Sequence, residues 1–289
     1  MLEGESMGAA PGPSEPAPEG QTTPDGGSEG QRTRNEDLST WADRLEATLA
    51  RVPGPINRVR VLALTGSTQD AAWESCGGRG GLLVTTGRQV RGRGRLGRTW
   101  SDERGLGIAA TFVVDARVPA WRLSMLAGVA ASRACDRVLH RPTRTRWPND
   151  VLEPGEGGRK LGGVLIEVRD GLAMVGVGVN VRQQESDWPV SLRERAVSLA
   201  QLGAGCFRID VIEELLAQVQ RLWAHPVDEL VEAWREREWL IGRRCTIAHD
   251  GEQHTGLVRS IDPIGKLVLE SAAGELHVAS ASASVVRYL

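Results

Sequence analysis

Cysteine is scarce in this 289-residue chain. Its four copies, Cys76, Cys135, Cys206 and Cys245, lie far apart, form no C-x-x-C pair, and are accompanied by only five scattered histidines. This argues against a zinc site and against a disulfide framework, and it sets the expectation of a cytoplasmic protein. Aromatic residues make up 4% of the chain and Trp supplies most of them. With a net charge of -2 and a pI near 6.3, no global basic field or aromatic interleaving points to DNA or RNA. No apolar run is long enough to span a bilayer. The acidic opening MLEGES lacks the apolar segment of a signal peptide. Lysine is the sharpest shortage. Of 35 basic residues only Lys160 and Lys266 are lysines, so arginine is the default surface cation and each lysine stands out.

What is present begins at residue 35. Residues 1–34 are rich in Pro, Gly, Ser and Glu and cannot bury enough apolar surface to offset ordering entropy, so a disordered tail is expected. Asn35 reads as an N-cap for a helix carrying Leu38, Trp41, Leu45, Leu49 and Val52, closed by Pro53. Strands are expected at Arg58–Leu64, Leu82–Thr86 and Leu106–Val114, and a helix at Ala120–Leu139. A hairpin follows, with Lys160–Val168 and Leu172–Val181 joined at Asp170-Gly171. Amphipathic helices are expected over 209–223 and 227–240. From Gly242 onward, four short strands (Cys245–Ala248, His254–Ile261, Leu267–Ser271, Glu275–Ala279) read as a small β-barrel. The expected division is a tail at 1–34, a body at 35–240 and a barrel at 241–289.

Several short segments carry chemical potential. Arg91–Trp100 packs Arg91, Arg93, Arg95 and Arg98 among Gly92, Gly94 and Gly97. Arginine forks match carboxylate and phosphate, and glycine lets the backbone approach a ligand. By itself this is a solvated loop, a nucleic-acid backbone contact, or an anion site, and it is expected to order only when anions neutralise it. Ser67 or Thr68 reads as a helix cap, a sufficient structural role. Pro148 bends the chain so that Asn149 and Asp150 sit at a strand mouth. The Gly-rich stretch before Lys160 is not a P-loop, since no Ser or Thr follows the lysine. Gly176 and Gly178 alternate with valines, which weakens a strand unless something packs against its backbone.

Taken together and in order, GSTQD, RQVRGRGRLGRTW, WPNDV, GRKLGGVLIEV and VGVGVNV resemble the biotin protein ligases, strongly over about 59–181 and more loosely in the C-terminal module. The resemblance implies an α+β fold, with a central mixed sheet, helices on one side and a small SH3-like barrel. It implies a biotin–[biotin carboxyl-carrier protein] ligase. Such an enzyme uses ATP and Mg2+ to form biotinyl-5'-AMP and then transfers biotin to one lysine of a carrier protein. Residue by residue, Ser67, Thr68, Gln69, Gln89, Gly92, Arg93, Gly94, Arg95, Lys160 and Gly163 fall on the biotin site. Arg93, Arg95, Arg98, Trp100, Asn149, Lys160 and Asn180 fall on the ATP or adenylate site. Lys160 and Arg95 are the catalytic candidates and Asp150 the candidate Mg2+ ligand.

Two departures stand out. Gln69 occupies a position where the family usually has Asn, and Gln89-Val90-Arg91 adds a charge to the loop. The alternative within the same superfold is a lipoate ligase or octanoyltransferase, against which the GRGRLGR loop and the WPND turn count. The expected partner is the carrier domain of acetyl-CoA carboxylase, with no DNA and no membrane. Oligomeric state is left between monomer and homodimer, with Leu172–Val181 as a candidate edge for pairing.

Overall fold

A computed structural model describes residues 36–102, 104–262, 264–280 and 283–288. The expected tail and the Asn35 cap lie outside these. The first described turn, Leu38–Thr40, is instead capped by Asp37, whose side chain accepts from Ser39 N. It leads into helix α1 (Trp41–Arg51). Then come β1 (Arg58–Leu62), α2 (Thr68–Cys76), β2 (Leu82–Thr86), β3 (Gln89–Arg93), β4 (Thr99–Asp102), β5 (Ile108–Asp115) and α3 (Ala120–Leu139). Strands β6 (Arg144–Arg146), β7 (Asp150–Leu152), β8 (Lys160–Arg169) and β9 (Leu172–Val179) follow, then α4 (Arg208–Trp223) and α5 (Val227–Arg235). The chain closes with β10 (Arg244–His249), β11 (Glu252–Asp262), β12 (Lys266–Ser271), β13 (Gly274–Ala279) and β14 (Ala283–Tyr288).

The seven-stranded main sheet runs β1-β2-β5-β9-β8-β7-β6. Only β1 and β2 pair in parallel; the other neighbours are antiparallel. Asp170 and Gly171 both take positive φ, 44° and 77°, the backbone that a two-residue turn needs to match strand twist. Strand β9 lies between β5 and β8. It is therefore not the free edge anticipated for pairing, because both its sides are already hydrogen-bonded.

Strand alternation sends each strand's side chains to two faces. Ala110, Phe112, Val114, Val175, Val177 and Val179 join one large apolar cluster with α1, α3 and α4. Val113, Leu172 and Met174 face a smaller one with Ala71, Ala72 and Cys76 of α2. Helices thus cover both faces, not one, because the short helix after Ser67-Thr68 crosses to the other side.

The C-terminal strands form an antiparallel sheet in the order β13-β12-β11-β10-β14. Strand β14 completes it, one strand more than expected. Its apolar residues Cys245, Ile247, Val258, Leu267, Leu269 and Val278 belong to the same cluster as the main sheet, together with Trp239 and Leu240. Helix α5 stops at Arg235, five residues short of expectation. The next residues run beside β6 instead, where Thr145 N donates to Arg237 O and Trp239 N donates to Thr145 O, both at 2.8 Å. No helix among the described residues is long and apolar enough to cross a membrane.

Candidate active site

The α2 face of the main sheet is only partly covered. Beyond Leu172 and Met174, the inward positions of β9 are Gly176 and Gly178. A Cβ at Gly176 would stand 2.7 Å from Gln69 Nε2, and one at Gly178 would stand 2.6 Å from the Trp100 ring. The missing side chains leave room for these two residues and for a cavity of about 840 Å³, within the range of small-molecule sites. Every residue that the resemblance assigns to the biotin, adenylate or Mg2+ site lines it except Gly92. A Cβ at Gly92 would lie 2.5 Å from Gln89 Nε2, so that glycine lets the hairpin close onto the wall.

One end of the cavity is polar but uncharged. Ser67 begins α2, its hydroxyl accepting from Gln69 N at 3.3 Å. The Gln89 carbonyl accepts from Thr68 N at 2.7 Å and from Thr68 Oγ1 at 3.1 Å, and Thr111 Oγ1 donates to Thr68 Oγ1 at 2.9 Å. Gln69 Nε2 donates to Leu165 O at 3.1 Å, while its buried Oε1 has no hydrogen-bond partner among the described residues. A buried acceptor left unmade is costly, and a ligand N–H would satisfy it.

The other end is cationic. Lys160 Nζ lies 2.6 Å from Asp150 Oδ1 and 5.7 Å from the Trp100 ring centroid. Arg146 Nη2 donates to Asp150 Oδ2 at 2.7 Å. Burial pushes Asp150 up, but Lys160 and Arg146 outweigh it and hold the carboxyl down at about 2. A permanent carboxylate thereby fixes the ammonium of Lys160. Gly163 makes space for that ammonium, since a Cβ there would lie 3.0 Å from Nζ. Arg95 donates to Asn149 Oδ1 at 3.3 Å and also to Ser280 O, and Arg98 reaches Ser284 Oγ at 3.1 Å. The Arg/Gly loop forms a hairpin of β3 and β4, and neutral oxygens of the protein accept from Arg95 and Arg98 at its tip.

Three expectations change. Arg93 lines the cavity, yet its guanidinium is taken up by Asp70 and Glu167. Both Asp150 oxygens are engaged by cations, so Asp150 does not fit as a magnesium ligand. Among the described residues no group of three or more His, Cys, Asp or Glu side chains could hold a metal, and a divalent ion accompanying a nucleotide finds no protein cage here. Asn180 reaches the cavity but spends its amide N–H groups on Val197 O and Lys160 O, at 3.0 and 3.3 Å.

Sequence reading missed one wall, Gln183, Trp188 and Arg195 of the segment after β9, as well as Ser284 to Val286 of β14. That segment holds only two short 3-10 turns, so it has no periodicity to detect. It also missed Asp102, a buried carboxyl that accepts from Leu106 N and Gly107 N at 3.0 and 2.9 Å and is raised by burial.

Comparison with known proteins adds to this geometry. Residues 61–183 match the model of the biotin/lipoate A/B protein ligase family. The chain is 34% identical over 236 residues to the biotin--[acetyl-CoA-carboxylase] ligase of Mycobacterium tuberculosis, covering 76% of this chain and 86% of the relative. It is 30% identical over 230 residues to the bifunctional ligase/repressor BirA of Bacillus spizizenii, covering 74% and 70%. In fold it is similar to a biotin protein ligase from Aquifex aeolicus solved with biotin and ATP. That match has a TM-score of 0.70 and 23% identity, over 80% of this chain and all of that one.

Proposed function

From the premise that this chain belongs to the biotin/lipoate A/B protein ligase family, we propose that it is a biotin ligase that activates biotin with ATP. It then acylates a lysine of a biotin carboxyl carrier protein. The observation that carries the reading is the two-ended cavity, with a neutral hydrogen-bonding wall at Thr68, Gln69 and Gln89 and a cationic wall at Lys160, Arg95 and Arg98. Biotin has the matching polarity: an uncharged ureido ring at one end and a carboxylate at the other. A ureido group both donates and accepts, and amide and hydroxyl side chains answer it without a charge.

In the first step a biotin carboxylate oxygen attacks the α-phosphorus of ATP and pyrophosphate leaves, giving the mixed anhydride biotinyl-5'-AMP. Two anions must be brought together, so fixed cations at the reacting centre are the main contribution available from the chain. Lys160 takes this role because Asp150 pins its ammonium and Trp100 backs it. Arg95 lies on the tip of the hairpin that roofs the cavity. A closed roof keeps water from the anhydride. In the second step the neutral amine of the carrier lysine attacks the acyl carbon and AMP leaves, with no protein nucleophile required. The name of the Mycobacterium tuberculosis relative suggests the carrier domain of acetyl-CoA carboxylase as the acceptor.

The deciding experiment is pyrophosphate–ATP exchange by the purified protein with biotin, lipoate or octanoate. Exchange with biotin alone is expected. Exchange that depends on lipoate or octanoate would move the chain to the other branch of its family and overturn the reading.

A further inference from the structure

Away from the reacting end, four charged side chains meet at the base of the Arg/Gly hairpin. Arg93 Nη1 and Nη2 donate to the two Asp70 oxygens at 2.7 and 2.9 Å. Arg93 Nε and Nη2 donate to the two Glu167 oxygens, both at 3.0 Å. Arg169 Nη2 joins them, 2.8 Å from Glu167 Oε2 and 3.2 Å from Asp70 Oδ1. Two cations face two anions, so the group is neutral in itself. Both donor edges of the Arg93 fork are filled in bidentate fashion, the strongest geometry that guanidinium offers. Arg93 is raised above its ordinary value by hydrogen bonds to Asp70 and then Glu167, and Asp70 is lowered chiefly by Arg93.

The three partners come from elements that build the neutral wall. Asp70 follows Thr68 and Gln69 in the first turn of α2, where the helix terminus also favours a carboxylate. Glu167 lies two residues beyond Leu165, whose carbonyl holds Gln69. Neither carboxylate nor Arg169 lines the cavity. A substrate carboxylate could grip Arg93 in bidentate fashion only by displacing one of two partners that are already in place. Resting on the biotin-ligase reading, we propose that Asp70, Glu167 and Arg169 are positioning residues for the adenylate. They anchor the stem of the hairpin through Arg93, and Arg93 serves as that anchor and not as a substrate ligand. The hairpin then has two parts: a stem clamped at Arg93 and a tip, from Arg95, that meets the ligand.

The test separates an anchor from a competitor by sign. If the carboxylates anchor the stem, Glu167→Gln loosens it, and release of preformed biotinyl-5'-AMP accelerates about fivefold, the scale of a partly exposed ion pair. The biotin KM stays near that of the parent. Arg93→Ala acts in the same direction and at least as strongly, since it also frees Asp70, and the double variant Arg93→Ala/Glu167→Gln is no worse than Arg93→Ala alone, because the Glu167 contact is already lost. Arg169→Ala gives a smaller effect in the same direction. If instead Arg93 grips the substrate and the carboxylates compete for it, Glu167→Gln lowers the biotin KM while Arg93→Ala raises it, and that result overturns the proposal. Amide hydrogen exchange over residues 91–99 supplies an arm that needs no catalysis. Faster exchange in Glu167→Gln than in the parent is expected, and equal exchange overturns the anchor. Failure of the parent protein to exchange pyrophosphate with biotin would count against the function, while the amide data would still decide the anchor.

Discussion

The two faces of strand β9 show how the molecule separates stability from chemistry. On one face Ala173, Val175, Val177 and Val179 all enter the large apolar cluster beneath α3. On the other, Leu172 and Met174 pack under α2, and then the side chains stop at Gly176 and Gly178. The same backbone therefore supports a close-packed core on one side and a cavity on the other. The cavity is made by omission: glycine at two inward positions admits Gln69 and Trp100, which carry the polar functions that apolar side chains would have displaced.

The largest effect that would break this contrast is on the chemical side. Lys160→Ala removes the pinned cation and is expected to lower adenylate formation by about a thousandfold or more, the scale of an electrostatic catalytic group. Its unfolding midpoint should fall only modestly, because Arg146 still pairs with Asp150, and both are read by pyrophosphate exchange and thermal melting. Phe112→Ala makes the opposite cut. It empties a fully buried site on the core face and should cost about 3–5 kcal/mol in denaturant unfolding, while the folded protein keeps its biotin KM.

Gly178→Val then tests the omission itself. With its Cβ about on top of the Trp100 ring, the ring must move, and the KM for ATP should rise about tenfold with a stability change near 1 kcal/mol. Failure to alter the KM would detach Trp100 from the nucleotide. The smallest effect is one of pH. Glu238 accepts from Trp147 N and Leu240 N, next to the turn that carries Asn149 and Asp150. Burial raises it from 4.5 to about 7 against those N–H groups and Arg146. Between these values the folded chain holds a proton that the unfolded chain has lost. Stability therefore falls as pH rises through that window, and Glu238→Gln should flatten the melting profile between pH 5 and 7. Asp150 has the opposite sign, its stabilisation being present above 3.8 and lost as pH falls toward about 2.

Local signals carried much of this. Helix α3 and strand β2 have the expected bounds because Pro119, the left-handed His140 and the flanking glycines punctuate them. The alternating glycines of β9 were legible as a demand for close packing, though not what would pack there. Non-local facts were hidden. Arg93 meets partners 23 and 74 residues away, and nothing near RGRGR marks them. The crossing of α2 to the other face, and the pairing of residues 237–239 with β6, depend on the assembled sheet. The short strand β14 has only a few alternating residues at the end of the chain, too few to stand out beside the turns that precede it.

The scarcity of lysine takes on a meaning once an activated acid is made inside the cavity. A mixed anhydride that escapes will acylate any amine it meets. Of the chain's two lysines, Lys160 is held against Asp150, and only Lys266, at the start of β12, is exposed. A ligase whose surface cations are almost all guanidinium groups keeps its ion pairs while offering its own product almost no lysine to label. Self-biotinylation, followed by mass spectrometry as the adenylate accumulates, should therefore collect at Lys266 among the lysines.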